Sequence, residues 1–396
     1  MTDGQNDAAS SSSQSLTEET ISTRTLASLF PHAPHLPFDL LAEILSRLPV
    51  KHLLQLRRVS NSWNYLISHD SKFAAKHLRW STSNHNRHHL ILNSTLSSRE
   101  LLLSHSPISS LFRSTSTITL TQLNHRHSLI GIFNNGNNAR RVTTCDGILC
   151  FGIDESLALL YNPSIRKFKL LPPLKINSHQ RYFENLYTLV YDRFTSSYKI
   201  ISVACCNSKN EINIHTFGTD YWRRIPDFPC HYLIPKPGIF LGDTVNWLAC
   251  DTFSFAERVI VSLDLENELY QKLSLPFYDT PFEVSITLGV LRGCLSFLSY
   301  GDKFSNVWIM KEYGNEKSWT KLFSVPRMEE WGVYVYTKAL YISEDDQVLM
   351  EYLKMGKFSL VVYDSINNTF KIPKFQNNIH SEMTSEVYVE SLISPL

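Results

Sequence analysis

Residues 36–67 read LPFDLLAEILSRLPVKHLLQLRRVSNSWNYLI. Leu40, Ile44 and Leu48 fall on one helical stripe, and Leu41 and Leu45 on the stripe beside it. A surface helix needs an apolar arc of only about 100°. This arc is wider, so the helix is expected to bury one side in its own small core and offer the other to something outside. Pro37 suits a first helical turn, where its missing N–H costs nothing. Asp39 and Glu43 place negative charge near the positive end of the helix dipole. Pro49 is expected to stop the helix, because the residue before a proline is pushed out of the α region. A second helix is predicted through Val50, Leu53 and Leu54. A third carries Val59, Trp63, Leu66 and Ile67 at i, i+4, i+7 and i+8, and a fourth follows around Phe73, Ala74, Leu78 and Trp80.

A helical unit of about 45 residues is marginal when it stands alone. Leucines left facing water would form a patch of the kind that marks partner sites. The plainer alternative is an N-terminal helical cap on a larger domain.

Particular residues favour the partner site. Leu36-Pro37 at the entry, Glu43-Ile44-Leu45 in the first helix and Leu48-Pro49-Val50-Lys51 at the joint form one set. Leu53-Leu54 and Val59-Ser60-Asn61-Ser62-Trp63 complete it. Together they closely resemble the F-box, the adaptor-binding module of Skp–cullin–F-box ubiquitin ligases. They look most like the plant group that joins an F-box to an F-box-associated or kelch-like β domain. His52 and Arg58 stand where that group often has Ser and Cys. The resemblance implies an adaptor-binding face built from Leu36, Pro37, Leu40, Ile44, Leu45, Leu48, Pro49, Leu53, Val59 and Trp63. It implies a Skp adaptor as partner and, through it, a cullin–RING ligase.

From about Leu90 the texture changes to short apolar runs bounded by Gly, Pro, Asn and Asp, the pattern of many short strands. The runs recur with a period of about 40–50 residues. One unit spans Cys145 to Pro173, a second Leu189 to Pro226, a third Gly242 to Pro276, a fourth Gly293 to Leu322 and a fifth Ala339 to Pro373. Radially repeated four-stranded sheets make a β-propeller, which also removes exposed edges. A sixth unit can be assembled from both ends: His89–Asn93, Leu101–Leu103 and Thr117–Leu120, with the C-terminal run Val387–Leu392. There is no Gly-Gly doublet and no Trp-Asp dipeptide, so the repeats resemble kelch only loosely and WD40 not at all. The Tyr161-Asn162-Pro163 turn and the tail Tyr388–Leu392 look like the plant F-box-associated domain.

The expected fold class is therefore α+β and multidomain. A Ser/Thr-rich tail over 1–33, expected to be disordered, precedes an all-α F-box over 34–80. An all-β propeller of six blades follows over 81–396, closed by the C-terminal strand.

Composition narrows the function. A net charge of +1 argues against a general binder of nucleic acid or membrane surfaces. No run of about 18 apolar residues occurs, so no membrane span is expected. The polar start MTDGQNDAASSSSQSLTEET lacks the apolar core of a signal peptide. Seven cysteines, an odd number with no CxxC pair, suit reduced thiols in cytoplasm or nucleus. His85, His88 and His89, and His125 with His127, have no Cys or carboxylate partner at metal-site spacing, so no metal and no cofactor is expected. No GxSxG, HExxH or GxxxxGK[ST] motif occurs, and no catalytic residue is expected. Trp222, Trp247, Trp308 and Trp319 recur at strand positions, as packing residues of blades do.

The sequence thus points to a non-catalytic receptor that holds an unidentified protein substrate. Tyr232 and Phe253, in the long connections Asp227–Gly238 and Asp251–Glu257, are its candidate anchors. Asn207–Glu211 and Tyr300–Ser305 are the other long connections of that kind. Two alternatives stay open: an F-box scaffold acting outside the ligase, and a propeller enzyme.

Overall fold

The computed structural model describes residues 37–95, 101–113, 117–123, 142–153, 156–175, 182–206, 210–230, 232–234, 236–250, 258–276, 285–301, 303–326, 335–354, 357–376 and 383–396. By internal contact the chain divides into two compact units, Met1–Leu45 and Ser46–Leu396. The tail over 1–33 and Leu36 lie outside the described residues.

Helix α1 (Phe38–Ser46) begins in the first unit, with the carbonyl of Pro37 accepting from the amide of Leu41 at 3.1 Å. Pro37 therefore stands at the cap and not inside the first turn. The second unit opens with α2 (Val50–Leu56), α3 (Asn61–His69) and α4 (Ser71–Ser83). Local chemistry sets their starts. The Ser60 hydroxyl accepts from the amide of Trp63 at 3.2 Å, so α3 begins at Asn61 and Val59 lies outside the helix that its periodicity suggested. Asp70 accepts from Lys72 and Phe73 at 2.8 and 3.0 Å and starts α4. Val50, Leu53, Leu66, Ile67, Phe73 and Ala74 are buried.

The rest is strand. After α4 come β1 (His88–Thr95), β2 (Leu101–Pro107), the short helix α5 (Ile108–Arg113) and β3 (Thr121–Gln122). The next sheet is β4 (Val142–Cys145), β5 (Ile148–Gly152), β6 (Ala158–Asn162) and β7 (Lys167–Leu170). It is followed by β8 (Tyr182–Asp192), β9 (Ser197–Cys206), β10 (Glu211–Thr216) and β11 (Arg223–Arg224). A five-stranded sheet then holds β12 (Tyr232–Leu233), β13 (Ile239–Leu241), β14 (Thr244–Cys250), β15 (Arg258–Asp264) and β16 (Tyr270–Ser274). The last two complete sheets are β17 (Ser285–Leu291), β18 (Cys294–Tyr300), β19 (Phe304–Met310) and β20 (Trp319–Pro326), then β21 (Val335–Ile342), β22 (Gln347–Lys354), β23 (Lys357–Asp364) and β24 (Thr369–Lys371). Strand β25 (Met383–Val389) pairs antiparallel with β1, giving the order β25-β1-β2-β3.

The described residues thus form a six-bladed propeller whose last blade joins the two ends of the propeller sequence. In that blade His88 faces Val389, Leu90 faces Val387 and Ser94 faces Met383. Two details differ from the sequence pattern. The closing strand is Met383–Val389, not 387–392. The outer strand is Thr121–Gln122, because Ile118 instead bridges to Phe375, beyond the fifth blade.

Hairpins follow repeated turn chemistry. Asn162, Asp192, Asp264 and Asp364 each accept from the amide two residues on, at 2.8–3.0 Å. Four residues after each, the backbone turns left-handed at Arg166, Ser196, Glu268 and Asn368, with φ of 51–55°. Asp146-Gly147 and Arg292-Gly293 form tight turns with positive φ at both positions.

Blade-to-blade contacts also repeat. Around the inside, the Thr144 hydroxyl donates to Val387 O (3.0 Å) and that of Thr287 to Thr337 O (2.8 Å), while Thr188 accepts from Gly238 N (2.8 Å). Further out, one ring in each of four blades reaches a carbonyl of the preceding blade. Trp222 donates to Pro172, Tyr270 to Pro226, Trp319 to Ser274 and Tyr363 to Ser324, at 2.8–3.4 Å. Trp247 is buried and Trp308 stacks on Phe297, so the recurring tryptophans serve packing between and within blades.

Candidate functional site

Helix α1 divides its leucines by face. Leu45 is 2% exposed, while Leu40 and Ile44 are 53% and 52% exposed. Leu40 and Ile44 are four residues apart and lie one above the other. Pro37 and Phe38 are also exposed. Two large aliphatic side chains in water, on a helix whose other stripe holds a half-buried Leu41 and a buried Leu45, form an unpartnered apolar ridge.

In the second unit Val59 is 60% exposed on the link between α2 and α3. Leu53 is fully buried, and Leu48, Pro49 and Trp63 are half-buried. The residues that the F-box resemblance put in one set therefore take two roles. Leu40, Ile44 and Val59 are exposed. Leu45 and Leu53 are buried, each in its own unit.

Strands alternate in direction, so each blade has one end where strands one and two join and another where strands two and three join. Strand β1 enters its blade at the first end, directly after α4. The long connections singled out from sequence all leave blades at the second end. Phe253, with the whole of 251–257, lies outside the described residues. Tyr232 sits in β12, paired with Cys250. Its neighbour Phe228 is buried edge-on to Trp247 at 5.8 Å, so the start of that connection is pinned to the core.

The inner strands carry charge where β21 meets β25. Lys338 pairs with Glu386, and Glu351 is 3% exposed. Glu351 accepts from the amide of Ser385 at 3.0 Å and from its hydroxyl. Burial pushes the Glu351 carboxyl above the ordinary range, against the pull of Lys338 and of these hydrogen bonds. This cluster is invisible in the sequence, because its members stand at 338, 351, 385 and 386.

His85 and His88 both reach the Tyr341 hydroxyl, and His88 also reaches Thr82 O at 3.0 Å. Burial lowers the pKa of His88, so it acts as a neutral hydrogen-bonding group. No group of three metal-ligating side chains occurs among the described residues. Among them no helix is long and apolar enough to cross a membrane.

The F-box domain family matches residues 34–74, and the F-box associated beta propeller domain family matches residues 101–395. An F-box/kelch-repeat protein of Arabidopsis thaliana is 31% identical over 379 residues, covering 92% of this chain and 97% of that protein. The Arabidopsis F-box protein CPR1 is 23% identical over 387 residues, covering 90% of this chain and 88% of that protein. With an F-box at one end, a matching propeller over most of its length and full-length plant relatives, the chain belongs to the plant F-box proteins that carry an F-box-associated β-propeller.

Proposed function

We propose that this protein is the substrate-recognition subunit of a Skp–cullin–F-box ubiquitin ligase. The observation that carries the proposal is the exposed ridge of Leu40 and Ile44 on an F-box helix that buries Leu45. In this reading Leu36, Pro37, Leu40, Ile44 and Val59 touch the Skp adaptor. Leu48, Pro49 and Trp63 flank that face, and Leu45 and Leu53 support it from within. Burial of one leucine on binding contributes on the order of 1.5–3 kcal/mol.

The propeller holds a protein substrate at the second end of its blades, with Tyr232 and Phe253 as candidate anchors. The chain breaks no bond itself. It acts by holding a substrate lysine near an E2 enzyme charged with ubiquitin, and proximity of that kind replaces a bimolecular encounter.

Affinity capture tests this directly. The full chain should retain the adaptor and cullin, and a Leu40→Ala, Ile44→Ala variant should lose both while keeping its thermal stability. Adaptor without cullin would move the protein to a role outside the ligase. Unchanged capture by the double variant would refute the adaptor face.

A further inference from the structure

Two side chains, far apart in sequence, grip the turn between α1 and α2. Arg87 lies just before β1 and is only 8% exposed. Its guanidinium donates to the carbonyl of Leu48 at 2.7 Å and to that of Arg47. Glu390 lies just after β25, and its carboxylate accepts from the amide of Val50 at 3.2 Å. The same oxygen is 3.8 Å from Arg87, and the other oxygen is 3.4 Å from His89. The Glu390 amide donates to Arg87 O at 3.2 Å, and His77 reaches Leu48 O at 3.0 Å.

The chemistry fits each partner. The last carbonyls of a helix have no intrahelical partner and favour a cation, while the first amides of the next helix favour an anion. The residue capping the start of helix α2 is Pro49, which offers no side-chain cap. Glu390 supplies that cap from near the other end of the chain. Burial lowers the Arg87 pKa, and Glu390 opposes the shift. Burial alone would raise the Glu390 carboxyl, but His89, the Val50 amide and Arg87 hold it below the ordinary range.

We propose that Arg87 and Glu390 are positioning residues that lock the start of helix α2 onto the strand closing the propeller, so that helices α2 to α4 and the substrate platform move as one piece. The inference rests on the proposed receptor role, because a fixed spacing matters only where a bound substrate must be presented to a charged E2. An apolar joint would hold the same elements with less directionality. Three directed backbone contacts, to Arg47 O, Leu48 O and Val50 N, specify one geometry.

The test uses the full chain with Arg87→Met, Arg87→Lys and Glu390→Gln. Hydrogen exchange of the free proteins should speed up about tenfold over residues 47–56 in Arg87→Met and Glu390→Gln, and less in Arg87→Lys. Strands β14 and β18 should keep their wild-type protection. Equal rates over 47–56, or a rise shared by β14 and β18, would overturn the proposal.

A second readout separates positioning from mere stability. With adaptor, cullin, RING protein and charged E2 added, the lysines of the chain that receive ubiquitin are mapped. The variants should bind adaptor as the wild type does, yet spread ubiquitin over more lysines. An unchanged lysine pattern would also overturn the proposal. If wild-type protein captured no adaptor, the receptor role would fall, and exchange on the free chain would still judge the joint.

Discussion

Asp192 shows how much a single position can carry. Its carboxylate accepts from Lys199 at 2.6 Å, from the Thr195 hydroxyl at 2.6 Å and from the Phe194 amide at 2.9 Å, and both members of the ion pair are buried. Burial would raise its pKa, but Lys199, Thr195 and the Phe194 amide together bring it below the ordinary carboxylate value. A depressed carboxylate stabilises the fold fully above its unfolded pKa of about 4, and the contribution is lost as pH falls through the lower folded value. Asp192→Asn should cost about 3 kcal/mol at neutral pH, because it strands a buried Lys199. Urea melts at pH 7 and pH 3 check this: the gap between variant and wild type should shrink in acid, and a constant gap would contradict the ion-pair account. Asp192 is legible in sequence as a turn residue. The left-handed position four residues on is not, because Ser196, like Arg166 and Glu268 at the matching sites, is a residue type that rarely signals positive φ.

At the scale of elements, the closing strand ties its own blade to both neighbours. Beyond its ladder with β1 it receives Thr144 from the first blade at Val387 and gives Ser385 to Glu351 in the fifth. Past its end, Asn162 donates to Ser391 O and Ile393 O at 3.1 and 2.8 Å. Gly147 lies beneath this segment, where a Cβ would fall 2.4 Å from Val389 O. Gly147→Ala should therefore displace the tail as well as strain a turn at φ 81°, and thermal melting should show a loss of roughly 2 kcal/mol or more. Deletion of 383–396 should expose the β1 edge and drive aggregation. A truncated protein that stays soluble with an unchanged melting point would contradict closure. The sequence showed the sixth blade but misplaced its strand, because the inward position at 385 is a serine bonded to a buried glutamate. A hydrophobic pattern cannot register a polar partner. Thr121–Gln122 was missed for the opposite reason: an exposed outer strand of two polar residues has no apolar signal.

For the whole molecule, Glu351 is a carboxyl that the ring holds against its preference. Glu351 is buried and its pKa is raised, so its contribution is full below the unfolded value and is lost as pH rises through the folded one. Glu351→Gln keeps an acceptor for Ser385 and removes the charge. The variant should melt higher than wild type at pH 8, with the difference vanishing near pH 4. An equal or lower melting point at pH 8 would show that Lys338 fully compensates the buried charge. At this scale the sequence was most informative about the two ends of the design. The joint residues Leu48-Pro49-Val50 and the VSNSW run identified the F-box, and the strand period identified the propeller. It could not separate Leu40 and Ile44 from Leu45 and Leu53, since all are leucine or isoleucine at helical spacing and only packing decides which face water. That separation carries the central claim, and one measurement tests it most directly. Purified full-length chain is titrated with a Skp-type adaptor, comparing wild type with Leu40→Ala, Ile44→Ala and Leu45→Ala. The account predicts that wild type binds, that Leu40→Ala and Ile44→Ala each weaken Kd about tenfold or more at an unchanged melting point, and that Leu45→Ala lowers the melting point first. Absence of wild-type binding, or equal Kd for wild type and both exposed-site variants, would contradict it.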